Sequence, residues 1–377
     1  MKSVALITEY NPFHNGHLYH AQTSKSITDS EVSIAIMSGN FVMRGQPAIY
    51  NKFIRTQMAL NVVDLVIELP ALAALSAGQY FATSAVQIAD YVDADHLSFG
   101  SESGDIDSFN AFLRDINQVE QSSLFLKKIK EGKSYPRILS ELVNDNTLLS
   151  SPNNTLGISY MRAIQKIAPH IKAWTISREN SHHHDQDISN LNFASGTSIR
   201  NAIQAYDEQW KHVVPHSIHH LYQEPHTSVD DTFPYIKYAI LSHTAGSLKN
   251  IYTMSEGLEN RILEKIKHAT SFEHLMSLIK TKRYTYTHIQ RLLMNILLNF
   301  QKQHQFDTIS AVRVLGMSQK GQHYLKYLKQ KFPNRNYITQ INQQNARLFE
   351  QEIHTTEIYN LLSHRPETDF NTPVIRI

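Results

Sequence analysis

The sequence contains no cysteine among its 377 residues, so disulfide bonds and thiolate metal sites are excluded and a reducing compartment is favoured. It also has no run approaching 18 consecutive apolar residues, the length that a membrane-spanning helix requires. The first apolar segment, SVALIT, is too short for a secretory signal. Hydrophobic residues make up 41% of the chain, enough to fill a sizeable core. These features predict a folded, cytoplasmic protein without a membrane segment.

The net charge of +2 hides an uneven distribution along the chain. Residues 1–200 carry 16 Lys and Arg against 19 Asp and Glu, whereas residues 251–350 carry 15 against 6. Such an excess is typical either of a solvated helical surface or of a surface that binds a polyanion such as a nucleic acid. Charge alone leaves both interpretations open.

Short β-rich runs alternate with longer helical patterns over the first 200 residues. We predict strands at 3–8, 32–37, 62–68, 95–99 and 171–177, and helices at 16–27, 48–60, 78–91, 106–131, 136–144 and 156–167. Strands separated by helices of this length indicate βαβ crossovers and a parallel sheet. The pattern therefore predicts an α/β fold with a Rossmann-like parallel sheet.

The pattern changes after residue 200. Helical spacing is present at 233–243, 257–268, 271–280 and 285–301, and few strand signals lie among these segments. A late strand at 311–316 is followed by a helical segment at 318–331. We therefore predict two domains, an α/β domain at residues 1–200 and a mostly α-helical, basic domain at residues 201–377.

Two histidines lie in the stretch EYNPFHNGH, residues 9–17, directly after the first predicted strand. Open parallel sheets bind ligands at the carboxyl ends of their strands, where helix N-termini present free N–H groups. There, His14 and His17 can stabilise charge on nucleotide phosphates. A metal site is the weaker alternative because no third ligand lies close in sequence. The other alternative is a purely structural pair of turn histidines. The position in the first βα turn favours nucleotide binding over both alternatives.

Other segments are predicted to reach the same edge of the sheet. In NFASGTSIR, residues 192–200, the Ser198 hydroxyl and the Arg200 guanidinium would hold phosphate oxygens at a helix N-terminus, unless this is an ordinary capped helix. In FGSE, Gly100 directly follows a strand and allows close approach of a base or ribose. In MSGNFVMRGQPA, Arg44 and Gly45 are predicted to face the acetate or the tRNA end, unless Arg44 is an exposed loop arginine.

Several of these segments together resemble one known family. The stretches ITEYNPFHNGHLYHAQ, MSGNFVMRGQPA, DLVIELP, FGSE, SPNNTLGISY, GTSIR and KRYTYTHIQRLL are similar to the bacterial tRNA(Met) cytidine acetate ligases of the HxGH nucleotidyltransferase superfamily. The resemblance runs from residue 1 to about residue 320. It implies that acetate and ATP, with Mg²⁺, give acetyl-adenylate and pyrophosphate. It also implies acetylation of the exocyclic amine of the wobble cytidine in elongator tRNA(Met).

The resemblance also implies particular ATP-contacting residues, with His14 and His17 as the catalytic pair at the phosphates. The implied set is Ile7, Thr8, Glu9, Tyr10, Asn11, Pro12, Phe13, His14, Asn15, Gly16, His17, Leu18, Tyr19, His20, Gly100, Asn153 and Arg178. Asn153 and Arg178 depend mainly on the resemblance. The stretch ENSHHHDQD departs from the family pattern, and we assign no role to His182, His183, His184 or Asp185.

The basic half contains TKRYTYTHIQRLL, residues 281–293, in which cations alternate with aromatic residues. Lys282, Arg283 and Arg291 are predicted to neutralise RNA phosphates while Tyr284 stacks on unpaired bases. The alternative is a solvated helix.

Two other function classes compete with the ligase. A small-molecule adenylyltransferase would explain HNGH but not the basic domain. A non-enzymatic RNA-binding protein would explain the basic domain but not the phosphate-facing motifs.

Overall fold

A computed structural model describes residues 1–131, 135–143, 147–177, 188, 192–304 and 309–377. Its strands are β1 (Ser3–Thr8), β2 (Val32–Ser38), β3 (Phe41–Val42), β4 (Gln46–Pro47), β5 (Leu65–Leu69), β6 (His96–Ser101), β7 (Lys172–Ser177), β8 (Ala311–Met317), β9 (Asn336–Ile338) and β10 (Ile375–Arg376). Its helices are α1 (Asn15–Ile27), α2 (Lys52–Ala59), α3 (Ala71–Ala74), α4 (Gly78–Tyr91), α5 (Ile106–Glu120), α6 (Ser123–Lys130), α7 (Tyr135–Leu142), α8 (Pro152–Ile167), α9 (Gly196–Gln204), α10 (Phe233–Ser242), α11 (Ala245–Leu248), α12 (Leu258–Lys265), α13 (Phe272–Ile279), α14 (Tyr286–Leu297), α15 (Gln319–Lys331) and α16 (Glu350–Ser363).

The main sheet has the strand order β10-β8-β5-β2-β1-β6-β7, with β9 paired to β8. The five main-sheet strands from the first 200 residues, β1, β2, β5, β6 and β7, are mutually parallel, which confirms the predicted α/β fold class. The late strand β8 pairs antiparallel with β5. The main sheet therefore includes strands from both sides of the predicted boundary at residue 200, and the two-domain division stays a prediction.

Capping residues explain where two helices differ from their predicted limits. The segment predicted as one helix at 106–131 is two helices, because the Ser122 hydroxyl accepts the Phe125 N–H at 3.2 Å and starts α6. The helix predicted from residue 48 begins at Lys52, because Asn51 Oδ1 accepts the Ile54 N–H at 2.9 Å. Among the described helices, none is both long and apolar enough to cross a membrane.

Three apolar cores hold the described residues together. One packs α4, α5 and α8 on one face of the sheet, and a second packs α1, α2 and α9 on the other. The third lies among α10, α12, α13, α14 and α16. This third core also includes Phe41, Ala71, Leu72 and Leu75 from the first 200 residues.

A buried ion cluster ties the end of the chain to the sheet. Lys52 of α2 donates from Nζ to the Glu68 carboxylate at 2.8 and 3.0 Å and lies 2.8 Å from Asp369 Oδ1. All three side chains are almost completely buried. Asp369 also accepts the Thr356 hydroxyl of α16 at 2.7 Å. Breaking such a buried pair is costly because the remaining charge has no water to solvate it.

We expect Lys52→Met to lower the free energy of unfolding by about 3–5 kcal/mol, because it leaves two buried carboxylates without this cation. Urea titration would measure the loss. The matched control is Lys326→Met on the exposed face of α15, which should change the value by less than about 0.5 kcal/mol. Equal stabilities of the two variants would contradict this expectation.

Candidate active site

The loop between β1 and α1 is held in place by buried groups on its inner side. Arg55 of α2 is completely buried, and its Nη1 donates to the carbonyls of Glu9 at 2.6 Å and Ser38 at 3.0 Å. The Asn11 side chain accepts the Ile49 N–H at 2.8 Å. Arg55 could not be predicted from the sequence, because nothing in its neighbourhood along the chain marks an arginine that will be buried.

His14 and His17 form a stacked pair at the start of α1. Their ring centroids lie 3.6 Å apart with 25° between the planes. His14 Nδ1 accepts the Gly16 N–H at 3.1 Å, and His17 Nδ1 accepts the His14 N–H at 3.3 Å. Because each Nδ1 is an acceptor, the pair caps the helix, and in a neutral form each ring carries its N–H on Nε2.

A β-carbon at Gly16 would lie 2.9 Å from His14 Cε1. Glycine therefore permits the compact turn that brings the two rings together.

A cavity of about 260 Å³ opens at the carboxyl ends of β1, β6 and β7, and both histidines line it. Of the predicted nucleotide contacts, these line the cavity: Ile7, Thr8, Glu9, His14, Gly16, His17, Tyr19, His20, Gly100 and Asn153. The cavity also has lining residues outside that set: Met43, Arg44, Phe81, Phe99, Leu156, Tyr160, Ile176, Ser177, Phe193 and Ala194. The aromatic members were missed because buried aromatics are indistinguishable from core residues in sequence.

The remaining predicted contacts of the first loop are absent from the cavity wall. Tyr10 and Phe13 are buried in the core beneath the loop, and Leu18 packs against the same core. Asn15 donates its backbone N–H to the Val213 carbonyl at 2.9 Å. Asn11 and Pro12, which are joined by a cis peptide bond, are also buried. In this structure these residues shape the loop that carries the histidines.

The N-terminus of α9 packs directly against that loop. Arg200 Nη1 donates to the Asn11 carbonyl at 2.7 Å, and Nη2 donates to the Thr197 hydroxyl at 3.1 Å. The Ser198 hydroxyl is buried and donates to the Ser195 carbonyl at 2.9 Å. Neither Ser198 nor Arg200 is part of the cavity wall.

Arg200 lies near a second guanidinium group, that of Arg44. Burial, the largest cause, and the Arg44 charge together lower the pKa of Arg200 to about 10, against the opposing effect of the Glu9 carboxylate. The positive charges of Arg44 and Arg200 therefore disfavour one another.

The other side of the cavity is organised by Glu102. Its carboxylate accepts Asn153 Nδ2 at 2.8 Å and the Asn154 N–H at 2.9 Å, at the first turn of α8. A carboxylate there stabilises the helix N-terminus and fixes the direction of the Asn153 amide. Gly100 lies two residues earlier, paired with Ile176 of β7. Arg178 lies outside the described residues, as does the run His182–Asp185.

The predicted RNA-contacting residues differ in exposure. Lys282 and Arg283 are exposed just before α14. The Tyr284 ring is half-buried and stacked on His288, with 5.2 Å between centroids and 15° between planes. Arg291 is half-buried, and its Nη1 donates to the Met43 carbonyl at 3.1 Å. Lys282 and Arg283 are thus the accessible cations of this set.

A mostly parallel sheet flanked by helices, with a His-Asn-Gly-His turn after its first strand, is typical of the HIGH-type nucleotidyltransferases. The family model described as HIGH Nucleotidyl Transferase matches residues 1–372.

Individual relatives narrow the class. The tRNA(Met) cytidine acetate ligase of Staphylococcus saprophyticus is 69% identical over 377 residues, covering 100% of both chains. That of Staphylococcus carnosus is 57% identical, covering 100% of this chain and 99% of its own. The crystal structure of Thermotoga maritima TmcAL in its apo form is 26% identical, with a TM-score of 0.89 over 100% of both chains. The form bound with alpha-thio ATP has a TM-score of 0.86. The chain belongs to the tRNA(Met) cytidine acetate ligase family.

Proposed function

We propose that this protein activates acetate with ATP and transfers the acetyl group to the exocyclic amine of the wobble cytidine of elongator tRNA(Met). The observation that carries the proposal is the stacked His14–His17 pair, which lines a cavity at the carboxyl edge of the sheet. The full-length similarity to tRNA(Met) cytidine acetate ligases supports the substrates. The similarity to a TmcAL bound with alpha-thio ATP supports the nucleotide.

In the proposed first step, an acetate oxygen attacks the α-phosphorus of ATP in line, and the bond to the pyrophosphate oxygen breaks. The Nε2–H groups of His14 and His17 stabilise the charge on the departing pyrophosphate. Mg²⁺ enters as part of the ATP substrate, carried mainly on phosphate oxygens and water. The described part of the chain has no group of three His, Asp or Glu side chains that could hold a metal ion.

In the proposed second step, the cytidine N4 attacks the acetyl carbonyl, the bond to the AMP oxygen breaks, and N4 loses a proton. The wobble base must leave the anticodon stack to reach the anhydride, which is least costly for a base that is already unpaired. Phe81, Phe99 and Tyr160 are buried aromatic walls of the cavity. They exclude water that would otherwise hydrolyse the anhydride.

The division of labour along the chain is part of the same proposal. Residues 1–200 supply the activation site, with Asn153, Arg178 and Ser198 in the nucleotide-binding set. Residues 201–377 supply the tRNA-binding surface, with Lys282, Arg283 and Tyr284 at its accessible part. The core among α10, α12, α13, α14 and α16 consists mainly of residues from the second half, which supports this division.

Arg200→Ala is expected to raise the KM for ATP at least about tenfold. It removes the charge-assisted hydrogen bond to the Asn11 carbonyl that holds the loop carrying the histidines, and such a bond is worth roughly 1.5–3 kcal/mol. Initial rates of pyrophosphate exchange at varied ATP would measure it. An unchanged KM would mean that GTSIR is only a capped helix start.

The proposed function is tested by ATP–pyrophosphate exchange with and without acetate, followed by nucleoside analysis of elongator tRNA(Met) incubated with protein, ATP and acetate. We expect exchange that requires acetate, and acetylcytidine in the tRNA. Pyrophosphate exchange that is independent of acetate but requires a nicotinamide or phosphopantetheine precursor would instead identify a small-molecule adenylyltransferase. The absence of exchange together with retained tRNA binding would favour a binding protein.

A further inference from the structure

The hairpin formed by β3 and β4 lies in direct contact with α14. Gly45, in the turn of this hairpin, has a φ of +83°. A β-carbon at Gly45 would lie 2.4 Å from the Arg291 backbone nitrogen and 2.6 Å from the Gln290 carbonyl carbon. Only glycine fits between the two backbones in this conformation. The hairpin turn and the helix therefore abut without intervening side-chain atoms.

The same hairpin is bonded to the nucleotide-binding loop. The Met43 N–H donates to Glu9 Oε1 at 2.7 Å, while the Met43 carbonyl accepts Arg291 Nη1 at 3.1 Å. The Met43 backbone is therefore held from both sides. Glu9, Met43 and Arg44 all line the cavity. A displacement of α14 at Arg291 would thus be transmitted to the residues that face the nucleotide.

Arg291 differs from the exposed cations of the segment that leads into its helix. Its side chain is half-buried, and burial lowers its pKa. Burial and the Arg291 charge also lower the pKa of the neighbouring His288. The Arg291 guanidinium thus lies in the contact between helix and hairpin.

We infer that Arg291 is a positioning residue of the acetate-activation site, which acts through Met43 to place Arg44 at the phosphates. This inference rests on the proposed function, and it gives Arg291 a different role from the tRNA contact predicted from the sequence. Since α14 follows Lys282 and Arg283, the contact between α14 and the β3–β4 hairpin also connects the proposed tRNA surface to the activation site.

The test uses the full-length protein without tRNA and measures acetate-dependent pyrophosphate exchange at varied ATP. Arg291→Ala should raise the KM for ATP about tenfold, the smallest loss expected when a charge-assisted phosphate contact is misplaced, and should change kcat less than about threefold. Arg291→Lys, which keeps a donor, should restore most of the affinity. The control is Arg114→Ala, an exposed arginine of α5, which should leave the KM unchanged.

A double variant separates positioning from a general loss of stability. If Arg291 acts through Arg44, adding Arg291→Ala to Arg44→Ala should raise the KM little beyond Arg44→Ala alone, because coupled residues are not additive. Additive effects would overturn the inference, as would a normal KM in Arg291→Ala with weakened tRNA binding. Should Arg291→Ala fold poorly by its thermal midpoint, Arg291→Gln provides the same comparison. Absence of acetate-dependent exchange in the unmodified protein would instead refute the proposed function.

Discussion

Replacing His14 with asparagine should lower the rate of acetate-dependent pyrophosphate exchange about 100-fold, because it removes one preorganised donor from a site where charge develops in the transition state. The imidazole caps α1 through Nδ1 as well as lining the cavity. Asparagine is a good helix N-cap, so this substitution keeps the cap and removes the Nε2–H donor. The KM for ATP should change far less than kcat if the donor acts mainly on the transition state.

Alanine at the same position is the matched comparison. His14→Ala should lose the same catalytic factor and, in addition, about 1 kcal/mol of stability, because the capping acceptor is absent. Thermal unfolding of both variants distinguishes the two contributions. Near-normal exchange in His14→Asn, combined with a lower melting temperature in His14→Ala, would show that His14 only caps the helix and has no catalytic role. If the unmodified protein binds a metal ion and either variant loses it, the metal-site interpretation would be favoured over the nucleotide-binding one.

Local sequence signals located the main elements of the site because the chemistry and the chain geometry coincide there. A strand, a turn with glycine and a helix start are all encoded within residues 3–27, and the structure has β1 and α1 at these positions. The same holds for the capped start of α9, where Ser195 and Gly196 are adjacent in sequence. What those signals do not specify is which side chains of a loop face the ligand. Tyr10 and Phe13 therefore belonged to the predicted contacts although they are buried beneath the loop.

Contacts between distant residues could not be predicted from one sequence. Lys52 and Asp369 are 317 positions apart, and the antiparallel direction of β8 depends on where the chain returns to the sheet. The contact of Arg291 with Met43 spans 248 positions. Arg283 precedes α14, whereas Arg291 lies within it. Tertiary contacts therefore changed the interpretation of Arg291 from a surface cation to a packed one.

The excess of basic residues in the second half includes the segment before α14 and the helix α15. Lys282 and Arg283 precede α14. Through Arg291, this helix contacts Met43 of the hairpin that borders the activation site. The lysines of α15 lie near the opposite edge of the sheet. There, the Tyr324 hydroxyl contacts the Ser3 hydroxyl at the start of β1 at 3.0 Å, and Lys331 pairs with Asp93 at 2.6 Å. In our proposal the segment before α14 brings RNA to the cavity, and α15 supplies matched control residues.

The double substitution Lys282→Ala and Arg283→Ala should separate acetate activation from acetyl transfer. Both side chains are exposed and outside the activation site, so pyrophosphate exchange should stay within about twofold of the unmodified protein. The affinity for tRNA should fall at least about tenfold, and its dependence on salt should become less steep by about one to two in the logarithmic slope, since fewer counterions are released.

The control for this experiment is Lys326→Ala with Lys329→Ala, which removes two exposed cations of α15 and changes the net charge equally. Filter binding at two salt concentrations, exchange and acetylcytidine yield should be measured on the same preparations. If both double variants weaken tRNA binding equally, the interaction depends on net charge and not on the segment before α14. If the Lys282/Arg283 variant acetylates tRNA normally, these residues only solvate the surface. If it also loses exchange, activation depends on the tRNA-binding half, and the proposed division of labour is wrong.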